Sequence, residues 1–196
     1  MKKFCLSVFC LSTIFACGTG NQNDRTVKDS KISLFSTSSY SVTNHSATKI
    51  PPNKDFELSG ASAGGGRLST LFMGHHMVID LSNSRCSGCI AFAKNLQYEP
   101  ETRKLFNGEH CTLVTIVDTQ DLDGWISRIG DQSYAAEHSY GIREGIFAVN
   151  QAFELNMELL PSFLIIDRDG NVAASAEGSL PAETKELCSA PWSRDL

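Results

Sequence analysis

No excess of positive charge marks this chain. Lysine and arginine number 17 against 22 aspartates and glutamates, for a net charge of −5. A nucleic-acid surface needs clustered cations, so nucleic acid is not an expected partner. No apolar run reaches the roughly 20 residues that a membrane-spanning helix requires. No internal repeat or low-complexity tract breaks the part beyond Pro52. Gly64-Gly65-Gly66 lacks the spacing and the lysine of a phosphate-binding loop. What is present is 41% hydrophobic and 20% charged residues over 196 positions. That is globular composition, which excludes a wholly disordered chain and a coiled coil and predicts one domain. Such a domain folds without staples. Its seven cysteines are therefore informative by their positions.

Cys5 and Cys10 lie in an N-terminal stretch made of Met1-Lys2-Lys3 and an apolar run from Phe4 to Ala16, followed by Cys17-Gly18. A charged start, a short apolar run and a small residue before a cut site make an export signal. Ile14-Phe15-Ala16-Cys17 resembles the lipobox of bacterial lipoproteins. That resemblance implies a signal peptide over residues 1–16 and a lipid, palmitate included, on Cys17. It also implies a working place outside the cytoplasm, on the cell membrane or the outer membrane, with the domain in the periplasm or extracytoplasmic space. Gly18 in place of Asp favours the outer membrane in a Gram-negative cell. Residues 17–50 are rich in Ser, Thr and Asn and bury too little to order themselves, so they read as a flexible tether. A short strand at Ile32–Phe35 is the exception there. Pro51-Pro52 opens a folded domain over residues 51–196.

Within that domain, Phe56 and Leu58 alternate with charge and predict a short strand. Met77–Leu81 is a buried-strand run, and a helix follows with Ile90, Phe92 and Leu96 at helical spacing. Pro100 begins a second helical segment that Gly108 stops. Leu113–Val117 is another strand, which makes a βαβ unit with parallel strands. Asp121–Asn156 reads as mainly helical, with Trp125, Ile126 and Ile129 on one side and a second helix at about Ile142–Leu155. Ser162–Ile166 and Val172–Ala176 form a hairpin around Asp169-Gly170, and Pro181–Cys188 forms a last short helix.

Cys86-Ser87-Gly88-Cys89 sits between a strand and a helix, where a CxxC reads as a redox dithiol. A cysteine at a helix N-terminus faces unpaired N–H groups and the positive end of the helix dipole. Both favour the thiolate, the nucleophile of disulfide exchange. Arg85 pushes the same way. The alternatives are half of a zinc site, which lacks a second CxxC, and a purely structural disulfide. Haem attachment needs a histidine where Ile90 stands.

These features together resemble the thioredoxin superfamily, most closely its membrane-tethered extracytoplasmic thiol-disulfide oxidoreductases of the TlpA/ResA type. The likeness runs from about Pro52 to Leu187. It rests on the CxxC at the strand–helix junction, Asp80 six residues before Cys86, Leu160-Pro161 before a strand, and Phe163-Leu164-Ile165-Ile166-Asp167 with Gly170. It implies a three-layer α/β/α sandwich with a mixed central sheet, an N-terminal strand extension and a helical insertion. It implies that Cys86 attacks and Cys89 resolves as a redox-active disulfide, that Asp80 moves protons, and that Leu160 and a cis-Pro161 hold substrate. No cofactor and no metal are implied. The partners it implies are extracytoplasmic protein dithiols and disulfides and a membrane or soluble electron-transfer partner, with the chain a monomer. Arg85 stands where the family usually has Trp, and Ser87-Gly88 lacks the proline of many relatives; this pair and its flanks tune the reduction potential.

Two rival readings share the fold. A copper-binding metallochaperone would use the soft thiolates of Cys86 and Cys89, although such relatives carry CxxxC and a downstream histidine. A peroxiredoxin-like peroxidase would need a TxxC motif, and Asn83 occupies its first place. Cys111 and Cys188 are either a structural disulfide or two small buried hydrophobes. His75, His76 and His138 read as surface or strand-edge residues.

Overall fold

The computed structural model describes residues 54–60, 64–71, 75–106 and 110–189. The expectations for the signal at 1–16, Cys17, the tether, the Ile32–Phe35 strand, Pro51-Pro52 and Gly108 lie outside them.

In chain order the elements are β1 (Glu57–Gly60), β2 (Gly66–Arg67), α1 (Leu68–Leu71), β3 (His76–Leu81), α2 (Ser87–Tyr98), α3 (Pro100–Leu105), β4 (Cys111–Asp118) and a 3-10 turn at Thr119–Asp121. Then follow α4 (Leu122–Ile129), α5 (Tyr134–Glu137), β5 (Ser139–Ile142), α6 (Ile146–Ala152), β6 (Ser162–Ile166), β7 (Val172–Glu177) and α7 (Thr184–Ser189). The strands form one mixed sheet in the order β2-β1-β5-β4-β3-β6-β7. β3, β4 and β5 run parallel, while β6, β7 and β1 are antiparallel to their neighbours. This is the expected mixed sheet with helices on both faces.

β3 and β6 are buried at every position, as central strands covered on both sides must be. The period of two sorts their side chains. Met77, Ile79 and Leu81 pack with Ile146 and Val149 of α6 and with Phe153 just after it on one face. Val78 packs with Phe92 and Leu96 of α2 on the other, where the Phe92 and Phe163 rings meet at 4.7 Å. Alternation therefore sends Asp80 to the α2 face. Trp125 of α4 lies in a third cluster with Cys89 and Ala93, and its indole N–H donates to Ser139 Oγ at 2.8 Å.

The predicted helical stretch Asp121–Asn156 is interrupted. β5 lies inside it, paired in parallel with β4 and antiparallel with β1. Ser139-Tyr140-Gly141-Ile142 is only four residues long and is interrupted by a glycine, which weakens Tyr140 and Ile142 as a strand signal; pairing on both edges makes it a strand. Gly141 is required here, because a Cβ would stand 2.9 Å from the Thr119 Cα. The second helix shortens accordingly to α6.

The surface part of the histidine expectation is corrected for His75 and His76. His75 and His76 are only 7% and 8% exposed. They lie at the start of β3, where the His75 ring bonds the Thr112 hydroxyl. Burial, then Arg168, lowers the pKa of both. His138 is half-buried and stacks on Tyr134 with ring centroids 4.4 Å apart.

Cys111, at the start of β4, and Cys188, in α7, are joined in the structure with Cα atoms 5.1 Å apart. The link closes a loop of 77 residues and ties the last helix to the sheet. Replacing both by alanine should cost about 2–5 kcal/mol, read as a lower urea midpoint, and a reductant should shift the native chain in the same direction.

Candidate functional site

The loop after β3 is fastened at each residue. The Ser82 hydroxyl donates to Asp80 Oδ1 at 2.7 Å. Asn83 Oδ1 accepts from the backbone N–H groups of Arg85 at 2.9 Å and Cys86 at 2.8 Å. Ser84 gives its N–H to Asp121 Oδ2 at 2.6 Å and its hydroxyl to Asp121 Oδ1. Asp121 is the N-cap residue of α4 but makes no cap bond there; its carboxylate reaches back across the fold instead. Gly124 lets the two segments approach, with Ser84 Oγ 3.4 Å from the place of its Cβ.

This anchored loop delivers Cys86 to the N-cap of α2 in an extended conformation. Its Sγ accepts the Cys89 N–H at 3.0 Å. Cys86 is half-buried, whereas Cys89 is fully buried, one helical turn along. The two are disulfide-bonded, with Cα atoms 5.2 Å apart. In the dithiol form the same N–H donor and the helix dipole stabilise a thiolate on Cys86. The arrangement thus presents one reachable sulfur and one shielded sulfur.

Arg85, Ser87 and Gly88 are exposed around the pair. Arg85 makes no ion pair with a described residue, so its charge acts only through its place beside Cys86. Gly88 faces the other side of the site: a Cβ there would lie 3.4 Å from Pro161 Cδ and 4.0 Å from both Cys86 Sγ and the Leu160 carbonyl. The Leu160–Pro161 peptide bond is cis. The structure therefore brings Cys86, Cys89, Gly88, Leu160 and Pro161 together, and keeps Cys111 and Cys188 apart in their own link.

Asp80 is 1% exposed. It accepts from Ser82 and, at 3.1 Å, from Thr115 Oγ1, a partner that the β3–β4 register places directly beside it. Burial pushes its carboxyl from an ordinary 3.8 up to about 7, and the two hydrogen bonds pull partly back. Among the described residues no three His, Cys, Asp or Glu side chains gather in a metal-holding group.

No family model and no curated protein matches the sequence. Solved structures match in shape. A thiol:disulfide interchange protein of the thioredoxin family from Chlorobium tepidum TLS gives a TM-score of 0.53 at 14% identity, over 74% of this chain and 99% of that one. The thioredoxin domain of a thiol-disulfide oxidoreductase from Bacteroides vulgatus gives 0.51 at 14% identity, over 67% and 89%. The chain has the thioredoxin fold. On that fold the dithiol lies at the carboxyl end of a central strand, where open α/β sheets place their sites.

Sequence reasoning missed Ser84 and Asp121 and weighed Asn83 only as a missing threonine. The signal for Asn83 was available: an Asn three residues before a helix-capping Cys is an Asx-turn pattern. Asp121 left no local signal, since its partner is 37 residues away.

Two measurements follow from this site. Asp80 binds its proton more readily in the folded than in the unfolded chain. Its stabilising effect is full below about pH 3.8 and is lost as pH rises through about 7. Asp80→Asn should therefore melt roughly 5–10 °C higher than the native chain at pH 8, with the gap shrinking toward pH 4. Asp121→Ala should lower stability by about 1–3 kcal/mol in urea unfolding, and Ser84→Ala, which keeps the N–H bond, by less.

Proposed function

We propose that the protein is a thiol-disulfide oxidoreductase, tethered to a membrane through a lipid on Cys17, that exchanges disulfides with extracytoplasmic proteins. The observation that carries this reading is the half-buried Cys86 at the N-cap of α2 accepting the N–H of a fully buried Cys89. An accessible sulfur stabilised as thiolate is the attacking group, and a shielded sulfur one turn along is the resolving group.

The Cys86 thiolate attacks one sulfur of a client disulfide. A mixed disulfide forms and the client's other sulfur leaves as a thiolate. Asp80 takes the proton of the Cys89 thiol, and the Cys89 thiolate attacks Cys86 Sγ. The second client sulfur leaves, each client thiolate takes up a proton, and the Cys86–Cys89 disulfide remains. The client has gained two electrons. A protein dithiol of the electron-transfer partner restores the pair by the same steps in reverse, and a client dithiol would be oxidised along that same route. A carboxyl titrating at about 7 is suited to both directions near neutral pH.

The other site residues have assigned roles in this reading. The Leu160-Pro161 segment, across from Gly88, holds an extended client chain against Cys86. Arg85, Ser87 and Gly88 set the thiolate's stability and with it the reduction potential. Support for an extracytoplasmic setting comes from the N-terminal signal pattern, from the Cys111–Cys188 link, which persists in an oxidising compartment, and from the thioredoxin fold shared with thiol:disulfide interchange proteins.

With Cys89→Ser the second step is blocked, so client adducts should accumulate on Cys86 and run as reductant-sensitive bands on non-reducing gels. An absence of adducts, together with no catalysed insulin disulfide reduction by the native chain, would sink the reading.

A further inference from the structure

The two oxygens of the Asp80 carboxyl are held by hydroxyls from two different strands. Ser82 follows β3 directly. Its N–H donates to the Ile116 carbonyl at 3.0 Å, which carries the β3–β4 pairing one residue past Leu81. With the backbone pinned there, the period of two turns the Ser82 side chain to the face that Asp80 shares. Its hydroxyl meets Oδ1 at 2.7 Å, and the Thr115 hydroxyl meets Oδ2 from β4 at 3.1 Å. Ser82 is 0% and Thr115 1% exposed, so both bonds are shielded from water.

No ion pair reaches Asp80 among the described residues. β6 sets the apolar Phe163 beside it. On α2, which covers this face, Lys94 and Tyr98 are exposed and Cys89 is the buried titratable group. The ionisable side chains of α4 and α7, Asp123 and Arg128 on one and Lys185 and Glu186 on the other, are exposed, and Cys188 is closed in its link. His76 shares the face but lies four residues away, at the other end of β3. A negative charge on Asp80 therefore has two hydroxyls as its polar partners and no cation. A hydrogen bond to the charged form of an acid favours that form, while burial opposes it. A hydroxyl is both donor and acceptor, and its hydrogen turns to suit its partner. The same pair can donate to a carboxylate and accept from a carboxyl, so it serves the acid before and after a proton arrives.

Resting on the thiol-exchange reading, we propose that Ser82 and Thr115 are positioning residues for its second step: their hydroxyls hold the Asp80 carboxylate ionised and ready to take the proton of the Cys89 thiol. They act through Asp80 and not on a sulfur. In that step the Cys89 S–H bond breaks and its proton passes to Asp80. The sulfur's electron pair forms the bond to Cys86 Sγ, the bond from Cys86 to the client breaks, and the client sulfur leaves as a thiolate.

The test uses the full chain with Cys5, Cys10 and Cys17 replaced by serine, reduced mildly so that the buried Cys111–Cys188 link stays closed. The oxidant is the aromatic disulfide dithiobis(nitrobenzoate), which needs no client surface. Its first coloured thiolate reports attack by Cys86 and scales with reagent concentration; the second reports resolution by Cys89 and does not. With Ser82 and Thr115 native, the second release should rise with pH through a midpoint of about 7. Ser82→Ala with Thr115→Val should move that midpoint up by about one pH unit or more. The second release should then slow about three- to tenfold at about pH 6 and recover by about pH 9, while the profile of the first release stays in place. Thr115→Ser, which keeps a hydroxyl, should hold the native midpoint. On an Asp80→Asn background the double substitution should move nothing further. An unmoved midpoint in the double variant, or a shift that also appears on the Asp80→Asn background, would overturn the proposal. So would a second release slowed equally at every pH, the mark of a structural defect. Should the double variant fail to fold, the nearly isosteric Thr115→Val alone must shift the midpoint in the same direction, and no shift there is equally fatal. If Ser82 and Thr115 are native and the second release never follows the first, it is the thiol-exchange reading itself that fails.

Discussion

The hydrogen bond from the Cys89 N–H to Cys86 Sγ organises this molecule's chemistry. It exists because the chain leaves a buried strand, makes a fastened five-residue loop and enters α2 with a cysteine in the capping place. Helix N-termini leave N–H groups without partners, and a sulfur here answers one of them. The same bond holds the two cysteines one turn apart and points the outer sulfur toward the Leu160-Pro161 segment. If the loop moved, the capping bond, the spacing of the pair and its facing of the Leu160-Pro161 segment would all go together. That explains why Ser82, Asn83 and Ser84 each have a hydrogen-bond partner holding the loop.

Asp80 is the complementary constraint. A carboxyl in the interior of a sheet costs stability when ionised, and two hydroxyls from neighbouring positions reduce that cost without removing it. The fold tolerates this because the rest of β3 is apolar and covered on both faces. In the proposed exchange this acid, held near neutrality on the face of the sheet that α2 covers, is the proton acceptor for the buried Cys89 thiol. Stability and reactivity are set against each other at this one residue.

The Cys86–Cys89 pair and the Cys111–Cys188 link lie at opposite ends of the same sheet. The link lies at the start of β4 and fixes the terminal helix, at the end opposite the dithiol. The pair follows the carboxyl end of β3, with the half-buried Cys86 outermost. One end of the sheet is closed covalently, and the other carries the half-buried sulfur on which the proposed exchange depends.

Much of this was legible in the residues. Continuous apolar runs gave β3, β4 and β6, the Asp169-Gly170 turn gave the hairpin, and Cys86-Ser87-Gly88-Cys89 gave the dithiol, because each is a local pattern with a local physical cause. β5 was not legible: four residues containing Ser and Gly become a strand only when β4 and β1 offer both edges. Asp121 was not legible either, since an acid at a helix start reads as a cap and only the packed fold turns it toward Ser84. His75 and His76 read as surface or strand-edge residues because two adjacent histidines are polar, yet packing at the start of β3 buries them. The sequence by itself determined which cysteines form the pair at the strand–helix junction and which strands build the core. The tertiary structure alone decided what holds the loop before Cys86, where Asp80 titrates and which segment faces the cysteine pair, because those depend on contacts between residues distant in the chain.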